Sequence, residues 1–265
     1  MRQFFSSLLK LFVSILFFSS AYASADNTTS VPVLVYHNFD PIKKGIMTLS
    51  THRFEEQMQW LQDNHYHVIP MQELVNYLQG KTSTLPPKSV VITDDDGRKS
   101  VYTYMLPIVK KFNIPVTLFI YTSVISKEPY ALTWEQLKAL QQTGLFTIES
   151  HTIWHPNFKQ EKKHYSEKSY EAMVTKQLAG SKKILDEKLG IHVTLLAWPF
   201  GIFDHYVMQQ ASKVGYTYAF SIKARNAARN EDKMAMPRYM IVQDQSMKMF
   251  EAIVKGHAQG KRKTS

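Results

Sequence analysis

The sequence predicts an α/β fold, a distorted or incomplete (β/α) barrel of about seven parallel strands. Three observations predict it. Strand-like and helix-like segments alternate along the chain, which calls for a parallel sheet with crossover helices. The 240 residues that follow a short apolar leader are enough for one core, and they contain no internal repeat or low-complexity segment. Acids and histidines fall directly after strand-like runs, where α/β folds gather functional groups.

The leader does not belong to that fold. Arg2 and Lys10 precede the apolar run "LFVSILFF", and "SSAYASAD" offers small-x-small sites at Ala21-Tyr22-Ala23 and Ala23-Ser24-Ala25. This is the pattern of a secretory signal peptide over residues 1–25, ahead of one domain over residues 26–265. The chain has no cysteine, so neither a lipid-modified cysteine nor a disulfide framework is available. A secreted or periplasmic domain of this kind must rely on its core. The formal charge is +10, and loss of Arg2 and Lys10, two cations with no acid between them, leaves +8. That balance favours peripheral contact with an anionic cell envelope. No basic stripe interleaved with aromatics argues for nucleic acid, and the expected state is a monomer.

Residues 31–37, "VPVLVYH", read as the first strand. "RFEEQMQWLQDN" then carries Phe54, Met58 and Leu61 at helical spacing. Residues 89–93 form the next strand, followed by a helix through Met105 and Val109 to Phe112, and Pro115 introduces the strand "VTLFI". "TWEQLKALQQTG" has Thr133 as N-cap, Gln136 to complete a capping box and Gly144 as stop. Phe146–Ser150 is a strand, and a long helix over about residues 166–189 is closed by Gly190. Residues 193–198 and "YTYAFSI" are strands on either side of a helix that begins after Asp204.

Three clusters end strands at the same predicted edge. Asp94, Asp95 and Asp96 follow residues 89–93, His151 and His155 follow Phe146–Ser150, and "WPFG" closes residues 193–198. Three like charges after a buried strand need something to offset their repulsion. Two imidazoles four residues apart on a helical turn reach one ion, and a carboxylate completes a two-His, one-carboxylate set. Such a set suits zinc, or another divalent first-row ion such as nickel, cobalt or iron. Alternate side chains along a strand face opposite ways. One of two adjacent aspartates can therefore hold the ion while the other takes a proton from the attacking water. Gly97 leaves room for a sharp turn. Alone, an HxxxH pair reads as two loop histidines and an Asp-Gly pair as a solvated turn. Their coincidence at one sheet edge argues for a site.

These motifs resemble the polysaccharide deacetylases of carbohydrate esterase family 4, the NodB-homology domain, over nearly all of the chain after the leader. The family's T-F-D-D-G is matched by Thr93-Asp94-Asp95-Asp96-Gly97, with Asp94 where an aromatic or apolar residue is usual. Its H-S/T-x-x-H-P is matched in full by His151-Thr152-Ile153-Trp154-His155-Pro156. Its R-x-P-Y/F aligns with Ala197-Trp198-Pro199-Phe200, with alanine where many members carry an arginine that orients the base. The resemblance implies Asp95 as general base, and Asp96, His151 and His155 as metal ligands. It also implies the Phe200 backbone N–H as a donor to the oxyanion.

"AWPFG", Tyr36-His37 and the "PR" before Tyr239 look like the subgroup acting on poly-β-1,6-N-acetylglucosamine, which puts Arg238 near the substrate. The implied substrate is an N-acetylated polysaccharide of that kind. Peptidoglycan or chitin oligomers are the alternative substrates, and an inactive glycan-binding module is the alternative class. His37 and His257 are the candidate proton donors, although His257 follows a helix and not a strand. Trp154 and Trp198 are either platforms for a sugar ring or core. Asp94, pointing away from the pocket, needs a partner such as Arg98.

Overall fold

The structure, a computed structural model, describes residues 29–43 and 45–257; the leader and the basic tail lie outside them. Its strands are β1 (Val33–Tyr36), β2 (Asn38–Phe39), β3 (Thr48–Leu49), β4 (His67–Val68), β5 (Ser89–Asp95), β6 (Val116–Ile120), β7 (Phe146–Ser150), β8 (Leu195–Ala197), β9 (Tyr218–Phe220) and β10 (Tyr239–Met240). Its helices are α1 (Thr51–Asp63), α2 (Met71–Leu78), α3 (Leu106–Phe112), α4 (Trp134–Gln142), α5 (Phe158–Glu161), α6 (Glu167–Leu189), α7 (His205–Lys213) and α8 (Met247–Val254).

Seven strands in the order β10-β1-β5-β6-β7-β8-β9 form one parallel sheet, and β4 pairs beside the start of β5. The sheet curls. Met236 pairs in parallel with Phe220 of β9, and three residues later Tyr239 and Met240 of β10 pair with Leu34 and Val35 of β1. This is the distorted (β/α) barrel that the alternation of elements predicts.

Strand alternation sorts the apolar side chains into two clusters. Val33 and Val91 join Phe119, Leu195 and Phe220 inside the barrel, where α2 adds Met71, Leu74 and Val75. Leu34 and Ile92, one residue along, join Leu118 and Ile148 in the larger core beneath the helices. The helix ends follow their caps. Thr133 and Gln136 exchange side-chain and backbone bonds at 3.0 and 3.1 Å in a capping box. Ser166 caps α6, and Gly190, in left-handed backbone (φ 67°), stops it. Each such N-cap contributes about 1 kcal/mol.

Some boundaries differ from expectation. β8 is only three residues long, and the helix expected through Met105 opens with a π-helical turn, Val101–Met105. β10 escapes the sequence because two residues carry no readable period. Among the described residues, no helix is long and apolar enough to cross a membrane.

Candidate active site

β5 carries charge into the interior: Thr93, Asp94 and Asp95 are all buried. Thr93 and Asp95 face the inside of the barrel, where Arg238 waits. Its Nη1 donates to Asp95 Oδ1 at 2.8 Å and to Thr93 Oγ1 at 3.2 Å, and its Nη2 donates to Asp95 Oδ2 at 2.7 Å. Nε donates to the Ser221 carbonyl at 3.1 Å, and the guanidinium lies 5.2 Å from the Phe119 ring centre. Such a two-pronged bond fixes a carboxylate in orientation as well as in charge. Burial pushes the Asp95 carboxyl up, but Arg238 and then His151 outweigh it and hold the group at about 2.

Asp96 has left the strand. Its φ of 80° turns its carboxylate onto the same cavity that Asp95 lines. The expected opposition of adjacent acids therefore applies to Asp94 and Asp95, which both belong to β5, and not to Asp95 and Asp96.

His151 follows β7, and its Nδ1 lies 2.8 Å from the Ala197 carbonyl. That acceptor assigns the ring proton to Nδ1 and leaves the Nε2 lone pair free. Nε2 of His151 and Nε2 of His155 each lie 3.8 Å from Asp96 Oδ1. The two rings meet across a loop and not a helical turn, because Thr152 (φ 71°) and His155 (φ 63°) are both left-handed. One ligand atom from each of the three residues lies within 4.8 Å of the others. One ion with ligand bonds of about 2 Å can span that spacing. Burial lowers His155 and takes His151 down to about 3, which keeps both imidazoles neutral and able to ligate. The donor set fits a divalent cation.

The cavity above these groups has a volume of about 360 Å³. His37 lines it, and its buried Nδ1 has no hydrogen-bond partner. Burial lowers the His37 pKa, against the pull of Asp95 and Asp96. On the far wall Phe200, in left-handed backbone (φ 57°) and 55% exposed, sets its ring 4.4 Å from that of His155. Gly201 beside it has to be glycine: φ is 64°, and a Cβ there would stand 2.4 Å from Ile222 Cγ1. Asp96, His155 and Phe200 in the cavity lining, and the buried Thr152 next to His151, all hold a conformation that costs a non-glycine residue about 1–3 kcal/mol.

The remaining candidates are placed differently. Arg238, expected near the substrate, is fully buried, so it positions Asp95 and presents no surface to a ligand. Trp198 lines the cavity but is 1% exposed, with its Nε1 donating to the Met234 carbonyl, so it is wall and not platform. Trp154 is exposed, with Lys176 Nζ 5.9 Å from its ring centre, and is not part of the cavity lining. His257 is exposed beyond α8. Arg98 approaches Asp96 at 3.9 Å, while neither oxygen of Asp94 has a hydrogen-bond partner. Met47, Ile222 and Met240 complete the lining, with no motif to announce them.

A profile described as polysaccharide deacetylase matches residues 82–219, just over half of the chain. The chain belongs to the polysaccharide deacetylase family. A poly-β-1,6-N-acetyl-D-glucosamine N-deacetylase of Staphylococcus aureus (strain MRSA252) is 29% identical to this deacetylase over 212 residues, covering 78% of this chain and 71% of that one. The Streptococcus pyogenes deacetylase PplD superposes with a TM-score of 0.75 at 23% identity, over 86% of this chain and 99% of that chain. IcaB from Ammonifex degensii does so with a TM-score of 0.72 at 23% identity, over 86% and 97%. These two likenesses speak to the fold. Where many family members carry an arginine this chain has Ala197, and the guanidinium bonded to Asp95 is that of Arg238, from the segment leading into β10.

Proposed function

We propose that this deacetylase removes N-acetyl groups from N-acetylglucosamine units of a poly-β-1,6-linked polysaccharide, using a divalent cation, zinc in first place, held by Asp96, His151 and His155. The observation that carries the reading is the juxtaposition of an oriented, ionised carboxylate with that ligand set on one cavity. Amide hydrolysis by water needs both: a base placed to take the water's proton and a centre of positive charge at the carbonyl. A cation bound there supplies Lewis-acid polarisation of the acetamide carbonyl and a more acidic water.

The residues divide the work. Asp95 accepts the proton of the attacking water, and Arg238, gripping both of its oxygens, keeps it ionised and fixes its aim. The turn Pro199–Gly201 sets Phe200 in the cavity wall, and its backbone N–H is the donor to the oxyanion. His37 is the group to protonate the departing amine: it lines the cavity and its Nδ1 is unpartnered. Acetate and a glucosamine unit are the products.

The β-1,6 linkage is supported by the name of the staphylococcal relative. A polymer of that class lies outside the cell membrane, which agrees with a cleaved leader over residues 1–25 and one secreted or periplasmic domain over residues 26–265. The test is acetate release from β-1,6- and β-1,4-linked N-acetylglucosamine oligomers by metal-stripped protein with zinc, nickel, cobalt or iron returned. Release that returns with metal and is faster from the β-1,6 oligomers is the expected result. Full release without metal would overturn the metal assignment, and faster release from the β-1,4 oligomers would overturn the substrate.

A further inference from the structure

The loop after β7 carries both imidazoles of the proposed metal site in a backbone that does not hold itself: Thr152 and His155 are left-handed without being glycine. Such residues persist only where their surroundings over-determine them. The surroundings here are the segment after β6, whose Thr122 and Ser123 N–H groups donate to the Thr152 and Ile153 carbonyls at 3.2 and 2.8 Å, and one face of α6. Gln177 is fully buried, and its Oε1 accepts from the Ile153 N–H and the Trp154 N–H, each at 3.1 Å. Three residues along, a Cβ at Gly180 would stand 2.8 Å from Ile153 Cδ1, so the bare helix surface there lets the loop settle. Ser181, fully buried as well, shares a 2.8 Å hydrogen bond with Ser150 Oγ, which accepts from the Thr152 N–H at 3.2 Å.

Positions 177, 180 and 181 share one side of the helix. Around them α6 buries Val174, Leu178 and Leu185, the apolar side chains that normally fill such a face. Two buried polar residues and a glycine are a poor choice for packing alone, since an apolar side chain carries no desolvation cost and glycine weakens a helix. Their bonds all lead to residues 150–154. His151 has a further restraint in the Ala197 carbonyl, whereas the His155 N–H bonds only to Thr152 Oγ1, at 3.2 Å. The grip of α6 therefore bears most on His155.

We propose that Gln177, assisted by Gly180 and Ser181, is a positioning residue of the metal site, clamping the backbone of Ile153 and Trp154 so that His151 and His155 both present Nε2 to Asp96. The proposal rests on the metal reading above. Gln177 touches neither ion nor substrate, and its effect passes through the loop.

The test is the affinity of the stripped, full-length protein for zinc, measured by competition with a chromophoric chelator well below the melting temperature. Gln177→Met keeps the length of the side chain and removes the acceptor. Its zinc affinity is expected to fall about 10–100-fold, the range for a lost outer-shell partner. Gln177→Glu, whose carboxylate can accept the same two N–H groups, is expected to restore it. A Gln177→Met protein that melts earlier but binds zinc like the wild type would show a structural role only and overturn the proposal. Amide exchange in the metal-free wild type decides the matter if that variant does not fold: protected Ile153 and Trp154 amides are expected, and exchange at the free-peptide rate would overturn the clamp. A wild type that binds no zinc would overturn the metal reading and the clamp's role in it. That result is distinct from zinc binding that is indifferent to residue 177.

Discussion

On the inner side of β5, Asp95 lines the cavity with both carboxylate oxygens bound to Arg238 at 2.7–2.8 Å. On the outer side, one residue earlier, Asp94 is just as buried under the helix layer, and neither of its oxygens has a hydrogen-bond partner. Burial pushes both carboxyls up. At Asp95 the guanidinium and His151 reverse the effect, whereas at Asp94 the charges of Asp95 and Asp96 add to it. One acid is therefore held ionised and aimed, and its neighbour holds its proton more tightly than a free carboxyl. The difference lies in the partner and not in the depth, and the two sides of one strand supply different partners.

Removing the partner is the most severe way to break that contrast. Arg238→Met leaves the Asp95 charge buried and alone, and loss of one member of a buried ion pair costs about 3–5 kcal/mol. A fall of that size in denaturant-derived stability is expected, together with loss of acetate release. A fall below about 1 kcal/mol would mean that Asp95 never depended on the guanidinium.

The outer side predicts the opposite sign. Asp94→Val removes a buried polar group that nothing satisfies, and the expected gain is about 1–3 kcal/mol with the deacetylation rate near that of the wild type. A loss of stability would reveal a partner for Asp94 and erase the contrast. Sign and not size is the readout.

Glu149 sharpens the comparison with a third acid, half-buried. Its Oε2 accepts from the Thr194 and Leu195 N–H groups at 2.9 and 2.8 Å, yet burial still carries its pKa up to about 8 from 4.5. A folded-state pKa above the unfolded one means that the native protein binds the proton more tightly. The stability this group contributes is complete below pH 4.5 and is lost as pH rises through about 8. Glu149→Gln keeps the acceptor oxygen and cannot ionise. It is expected to flatten the decline of melting temperature between about pH 5 and 9, an effect on the order of 1 kcal/mol. An unchanged slope would remove Glu149 from the account.

Much of this was legible in the chain. The capping box at Thr133 and Gln136, the Ser166 cap and the Gly190 stop mark helix ends that the fold realises. The acid run and the HTIWHP motif point to one sheet edge, and the cavity lies there. The rest was hidden for physical reasons. Arg238 and Asp95 are separated by 143 positions, and no local period reports a contact of that range. The aim of Asp96 and the meeting of His151 with His155 depend on positive φ at aspartate, threonine and histidine, residues that do not advertise a left-handed turn as glycine does. Gln177, a glutamine inside a helix, reads as solvent-facing until the loop it holds comes into view.

Acetate release by zinc-loaded Asp95→Asn and Asp94→Asn proteins, with zinc affinity measured on both, tests the central claim most directly. The account predicts that Asp95→Asn loses activity by a factor on the order of 10³ while still binding zinc, and that Asp94→Asn stays within about tenfold of the wild type. Equal losses in the two variants, or an Asp95→Asn protein that works at the wild-type rate, would contradict it.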